Sequence, residues 1–105
     1  SSPSEALNVL TGYDVCERLR RQVLDADSEL EKYRQKLRDS RKEYFRAISE
    51  RSRCQKEING LLQRKSTWSD SELTRFTELY RSEMRLEQDE ATAKQENDHL
   101  EKIVD

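Results

Sequence analysis

The sequence predicts an all-α fold: an elongated coiled coil whose two long helices form an antiparallel hairpin, closed within one chain or swapped between chains. Three observations predict it. Ala, Glu, Lys, Leu and Arg supply 51 of the 105 residues, close to the roughly half share that marks coiled coils and long helices. Only 2 glycines and 1 proline are present, so tight turns are few. Finally, apolar residues recur in alternating steps of four and three, the spacing of a coiled-coil seam. The hydrophobic share is only 32%, against roughly 45 to 50% in globular domains, so each helix depends on a neighbour to cover its stripe. Disorder is not expected, because 20 basic residues nearly balance 22 acidic ones and chains that stay unfolded usually carry a large net charge.

The elements follow in order. Residues 1–10 are expected to be a short lead-in, with Ser2-Pro3-Ser4-Glu5 suggesting one helical turn that has proline at its first position. Helix 1 is assigned to residues 11–66. Thr11 and Asp14 make an acidic variant of the capping box, and Leu10 and Val15 occupy the staple positions around it. Its seam reads Leu19, Val23, Ala26, Leu30, Tyr33, Leu37, Ser40, Tyr44, Ala47, Arg51, Cys54, Ile58 and Leu61. Only Ser40 and Arg51 interrupt it. Residues 67–69 form the connector, and helix 2 spans 70–105. Ser69-Asp70-Ser71-Glu72 is a complete capping box, with Trp68 and Leu73 as the staple. Helix 2 carries a weaker seam of Phe76, Leu79, Glu83, Leu86, Glu90, Ala93, Asn97, Leu100 and Val104. Its d positions are all apolar and most of its a positions are polar.

A short connector favours antiparallel neighbours. Folding helix 2 back places Leu61 with Phe76, Ile58 with Leu79, Arg51 with Leu86, Tyr44 with Ala93, Ser40 with Asn97 and Leu37 with Leu100. In the same register Cys54 meets Glu83 and Ala47 meets Glu90, two apparent mismatches. Charge supports association of the two helices. Residues 12–66 carry 15 basic and 10 acidic side chains, while residues 69–105 carry 5 and 11. Opposite signs of this size attract and are screened by salt. The first half of helix 1 lacks a partner in this scheme and is expected to pair with another copy or with a segment outside the chain; Leu19, Val23, Leu30 and Leu37 are the expected inter-chain seam.

Little catalytic material is present. With 1 histidine and no glycine-rich loop, no nucleophile can be assembled with a base and an orienting group, and no enzyme activity, cofactor or small-molecule substrate is expected. His99, with Asp98 and Glu96 nearby, falls short of the four convergent ligands of a zinc site. Cys16 and Cys54 read as small apolar seam residues in a reducing compartment. No stretch approaches the ~18 apolar residues of a membrane span, and the opening residues lack a secretory signal; any targeting or spanning segment would lie outside the chain. Ile58, Leu61, Leu62, Trp68, Leu73 and Phe76 gather at the hairpin tip, where their expected role is to lock it, with partner docking as the alternative. Arg34, Arg38, Arg41 and Lys42 form a candidate patch for anionic lipid. Acidic residues interrupt the basic run and the helix lacks a nucleic-acid module, so no nucleic acid is expected.

The segments Arg51-Ser-Arg-Cys-Gln-Lys-Glu-Ile-Asn59, Leu61-Leu-Gln-Arg-Lys65, Trp68-Ser69 and Leu73-Thr-Arg-Phe-Thr-Glu-Leu-Tyr-Arg81 stand out, together with Thr11-Gly-Tyr13 and Glu17-Arg-Leu19. They resemble the fungal "sensitive to high expression" / mitochondrial distribution and morphology family of inner-membrane coiled-coil proteins. Gly60 departs from the glutamate of that pattern, and a glycine inside a helix costs roughly 1 kcal/mol relative to alanine. The resemblance implies a matrix-facing, soluble region of a protein anchored in the mitochondrial inner membrane by segments outside this chain. It also implies a self-associating scaffold or tether in inner-membrane fission and mitochondrial morphology. The alternative is a peripheral coiled coil that binds anionic lipid or nucleic acid through the basic half of helix 1.

Overall fold

The computed structural model describes residues 2–104. They form helix α1 (Pro3–Leu62), a single 3-10 turn (Lys65–Thr67) and helix α2 (Asp70–Val104). Two compact units divide the chain, one ending at Gln35 and the other beginning at Lys36.

The first unit is a stretch of α1 alone. The helix begins at Pro3, whose missing N–H costs nothing at a first helical position. Ser2 caps it: the Glu5 N–H donates to Ser2 Oγ at 3.2 Å, and the Ser2 N–H donates to the Glu5 carboxylate at 3.3 Å. This corrects the expected lead-in over residues 1–10 and the expected start at Thr11. Thr11 lies inside the helix and donates its hydroxyl to the Leu7 carbonyl at 2.9 Å. A threonine that bonds back one turn is compatible with a continuing helix, so its capping potential is not used.

In the second unit α1 continues to Leu62 and α2 runs back along it as an antiparallel hairpin. The buried residues of α1 are Leu37, Ser40, Ala47, Cys54 and Leu61, and those of α2 are Leu79, Leu86, Ala93, Asn97 and Leu100. All ten belong to the seams that the sequence spacing traces. Burial is densest toward the tip, where Cys54, Leu61, Leu79 and Leu86 form a cluster with Ile58, Trp68 and Phe76 packed against it.

The turn follows from its hydrogen bonds. After Leu62 the ladder tightens: the Arg64 N–H donates to the Leu61 carbonyl at 3.0 Å, and the Thr67 N–H to the Arg64 carbonyl at 2.9 Å. Such three-residue spacing is how helix ends satisfy their last carbonyls. Helix α1 therefore stops a few residues short of position 66. The Trp68 indole N–H donates to the Leu61 carbonyl at 2.6 Å, and its ring lies 4.9 Å from that of Phe76. One side chain thus caps α1 and packs on α2. Ser69 opens α2, taking the Glu72 N–H on Oγ at 3.3 Å while Glu72 accepts the Ser69 N–H at 3.4 Å.

Because that reciprocal cap satisfies two otherwise orphaned donors, Ser69→Ala should destabilise the hairpin by about 1 kcal/mol. Urea unfolding followed by helical circular dichroism would read this as a lower midpoint, and an unchanged midpoint would remove the cap from the account.

Candidate functional site

Among the described residues no group of three or more His, Cys, Asp or Glu side chains is placed to hold a metal ion. Nor is any helix among the described residues long and apolar enough to cross a membrane. The candidate functional features are therefore surfaces and the polar layers that hold them in place.

Arg51 is the centre of the second unit's electrostatics. It lies between Ala47 and Cys54 on the seam, and these small neighbours leave room for its guanidinium. From there it reaches two glutamates one heptad apart on α2, donating Nε to Glu83 at 3.1 Å and a terminal nitrogen to Glu90 at 2.5 Å. The three side chains are 28%, 19% and 23% exposed. Hydrogen bonds to Glu90 and Glu83 hold the guanidinium pKa above its ordinary value, against the cost of partial burial. Gln55 adds a 3.0 Å bond to Glu83. The mismatches of Cys54 with Glu83 and Ala47 with Glu90 are thus resolved by a third residue that lies between both pairs.

A second polar layer sits toward the open end of the hairpin. Ser40 and Asn97 are buried there, polar opposite polar in the expected register. Ser40 Oγ and Asn97 Oδ1 lack hydrogen-bond partners among the described residues, while the Asn97 amide donates to Glu101 at 3.3 Å. A layer of this kind costs stability and disfavours slipped registers, in which Asn97 would face Ala47 or Tyr33 instead of Ser40.

The expected site residues fall into different environments. Leu19 and Val23 lie on the exposed side of the first unit at 56% and 59%, and Leu30 is half-buried. Leu37 departs from the inter-chain seam expected for it. It is 5% exposed and belongs to the intramolecular seam, where α2 extends far enough to cover it. At the tip, Leu61 is buried and Ile58, Trp68 and Phe76 pack against the core cluster, whereas Leu62 and Leu73 stay exposed at 45% and 53%. Of the candidate lipid patch, Arg34 pairs with Glu31 at 3.9 Å and Arg41 with Glu101 at 3.6 Å, and Arg38 also has a bonded or electrostatic partner. His99 is exposed. Cys54 is buried, donates its thiol to the Leu79 carbonyl at 3.4 Å, and has its pKa raised by burial and by the charges of Glu83 and Glu57.

Sequence reasoning treated Arg51 as a seam interruption and missed its role. The available signal was a lone arginine between two small seam residues, facing acidic a positions one heptad apart.

A model of the She9 / Mdm33 family matches residues 1–105. "Sensitive to high expression protein 9 homolog, mitochondrial" of Schizosaccharomyces pombe is 39% identical over 102 residues, covering 97% of this chain and 32% of the relative. The protein of the same name from Candida albicans is 39% identical over 102 residues, covering 97% of this chain and 20% of the relative. That from Meyerozyma guilliermondii is 42% identical over 102 residues, covering 97% and 23%. The chain thus spans a third or less of the length of these relatives, all of which are named as mitochondrial proteins. No solved structure matches it.

Removing Arg51 alone would leave Glu83 and Glu90 facing a partly dry seam, so Arg51→Met should lower the urea midpoint. The triple change Arg51→Met, Glu83→Leu and Glu90→Leu should restore or exceed it, because apolar replacements avoid the desolvation of an ion triad. A triple variant no better than the single one would mean that the three groups do not act together. Acid should also weaken the hairpin. The Arg75 guanidinium, bonded to both Glu57 oxygens at 2.9 and 3.0 Å across the two helices, holds the Glu57 carboxyl below its ordinary value. A carboxyl depressed in the folded state contributes stability above its unfolded pKa, about 4.3, and loses it as pH falls through the folded value. Glu57→Gln should therefore flatten the acid limb of a stability-versus-pH curve, and an unaltered limb would discount the pair.

Proposed function

The chain belongs to the She9 / Mdm33 family, and on that premise we propose that it is a non-enzymatic, self-associating scaffold or tether of the mitochondrial inner membrane. It faces the matrix, is attached to the membrane by segments outside this chain, and serves membrane fission and mitochondrial shape. The observation that carries the reading is the exposed apolar surface of the first unit. Leu7, Val9, Leu10, Tyr13, Leu19, Val23 and Leu24 are each more than half exposed, and Val9, Leu19 and Val23 share the four-and-three seam. Such a seam is costly in water and is removed from it when a second helix lies along it. Leu19, Val23 and the half-buried Leu30 form the core of that contact at coiled-coil spacing.

The scaffold reading is preferred to lipid binding through Arg34, Arg38, Arg41 and Lys42. Arg34 and Arg41 already hold carboxylates of their own chain, which reduces what they offer an anionic headgroup.

The double change Leu19→Ala and Val23→Ala removes exposed apolar surface without touching the hairpin seam. In sedimentation velocity over a concentration series it should shift the mass distribution toward monomer while the helical content holds. A distribution that coincides with that of the unaltered chain would take these residues out of the interface.

A further inference from the structure

The two sides of the hairpin in the second unit are built differently. In an antiparallel pair, the residues that directly follow the d positions of one helix face their counterparts on the other along one side. Observed contacts fix which side is which: Arg41 meets Glu101 at 3.6 Å on one flank, and Glu57 meets Arg75 at 2.9 Å on the other. The Glu57 flank is charged, carrying Glu43, Glu50, Asp89 and Glu96 at equivalent positions of the repeat. On the Arg41 flank the same count places Ile48, Leu62 and Tyr80 directly after d positions and Leu73 one heptad before Tyr80, alongside the polar Gln55, Glu87, Lys94 and Glu101, with Phe45 and Met84 one turn further out. The six apolar side chains are 38%, 45%, 58%, 53%, 70% and 61% exposed in that order. Nearly all the large apolar surface that the hairpin leaves in water is thus gathered on one side.

We propose that this flank binds a second copy of the hairpin about a two-fold axis running along the hairpin, so that α1 of each copy lies over α2 of the other and both tips point the same way. Charge selects this arrangement. Over residues 36–62, α1 carries 8 basic and 4 acidic side chains, while α2 over 70–104 carries 5 and 10. Laying α1 on α2 opposes +4 with −5, whereas laying α1 on α1 opposes like charges. Side-chain size agrees. With tips aligned, Phe45 comes level with Ala91 of the second copy and Met84 level with Ser52, so the largest protrusions meet small residues. Leu62 and Leu73 meet at the tip. A bilayer is the poorer occupant, because the flank also carries Arg41, Glu87 and Glu101, charged groups of both signs that would have to leave water for the apolar side chains to enter the hydrocarbon. The interface is separate from the Leu19 and Val23 row and takes from the proposed function only the identity of the partner.

The double change Tyr80→Glu and Met84→Glu in the whole chain tests the surface. Both positions are exposed, so helical content and urea midpoint should persist. Burying carboxylates should raise the dimer dissociation constant by about 100-fold in sedimentation equilibrium. Orientation is tested in a Cys16→Ser, Cys54→Ala background by mixing Phe45→Cys chains with Ala91→Cys chains. Oxidation should give a covalent dimer in the mixture and far less of it in either chain alone. An oligomer that resists the Glu pair but dissociates on Leu19→Ala and Val23→Ala would overturn this interface and leave the proposed function standing. An unaltered chain that is monomeric at every concentration would overturn both. A monomer that floats with phosphatidylcholine–cardiolipin vesicles would hand the flank to lipid and equally overturn the dimer.

Discussion

The hairpin depends on a seam too narrow to be stable through apolar contact alone. Along α2 only every other seam position is apolar over most of its length, and the buried partners on α1 include Ala47 and Ser40, which remove little surface from water. Burying a leucine contributes roughly 1.5 to 3 kcal/mol, and few leucines take part. Under that constraint the charged groups in the seam must be paired across it or the two helices separate. Arg51 meets this requirement at mid-seam by holding Glu83 and Glu90 together. At the tip Trp68 gives the Leu61 carbonyl a second hydrogen bond, beside that from the Arg64 N–H, and so ties the connector to the end of α1.

Polar layers also fix position along the helix axis. A seam of leucine facing leucine tolerates a slip of one heptad with little loss. A slip here would set Arg51 beside one glutamate instead of two and move Asn97 from Ser40 onto Ala47 or Tyr33. The alignment is therefore held by groups that add little net stability, a division of labour known from buried asparagine in coiled coils. The flanks are set instead by the phase of the repeat, which such a slip leaves unchanged: Ile48, Tyr80 and Met84 lie on one side and Glu43, Glu50 and Asp89 on the other.

Much of this was legible in the residues before any coordinates. The steps of four and three locate the ten buried positions, the box at Ser69 locates the start of α2, and the tip aromatics announce the turn. The signals that misled are those whose meaning depends on context. Thr11 has the chemistry of a cap, yet a threonine hydroxyl can equally bond back to the Leu7 carbonyl, and the choice was settled upstream by Ser2 and Glu5. Leu37 has the periodicity of an inter-chain seam, but how far α2 reaches determines which helix covers it. Arg51 looked like a defect because pairwise matching assigns each residue one partner, and this residue has two. The asymmetry of the flanks follows from the same count, and the contacts of Arg41 with Glu101 and of Glu57 with Arg75 place the two sides.

The two cysteines give the protein an internal clock for its own opening. Cys16 is exposed, and Cys54 is buried with its thiol turned toward the Leu79 carbonyl and its ionisation suppressed by burial and neighbouring carboxylates. A thiol-alkylating reagent therefore meets one sulfur at once and the other only when α2 lifts away from α1. The ratio of the two labelling rates measures how often the arms part. Any event that pries the hairpin open would thus register as a chemical change at one atom.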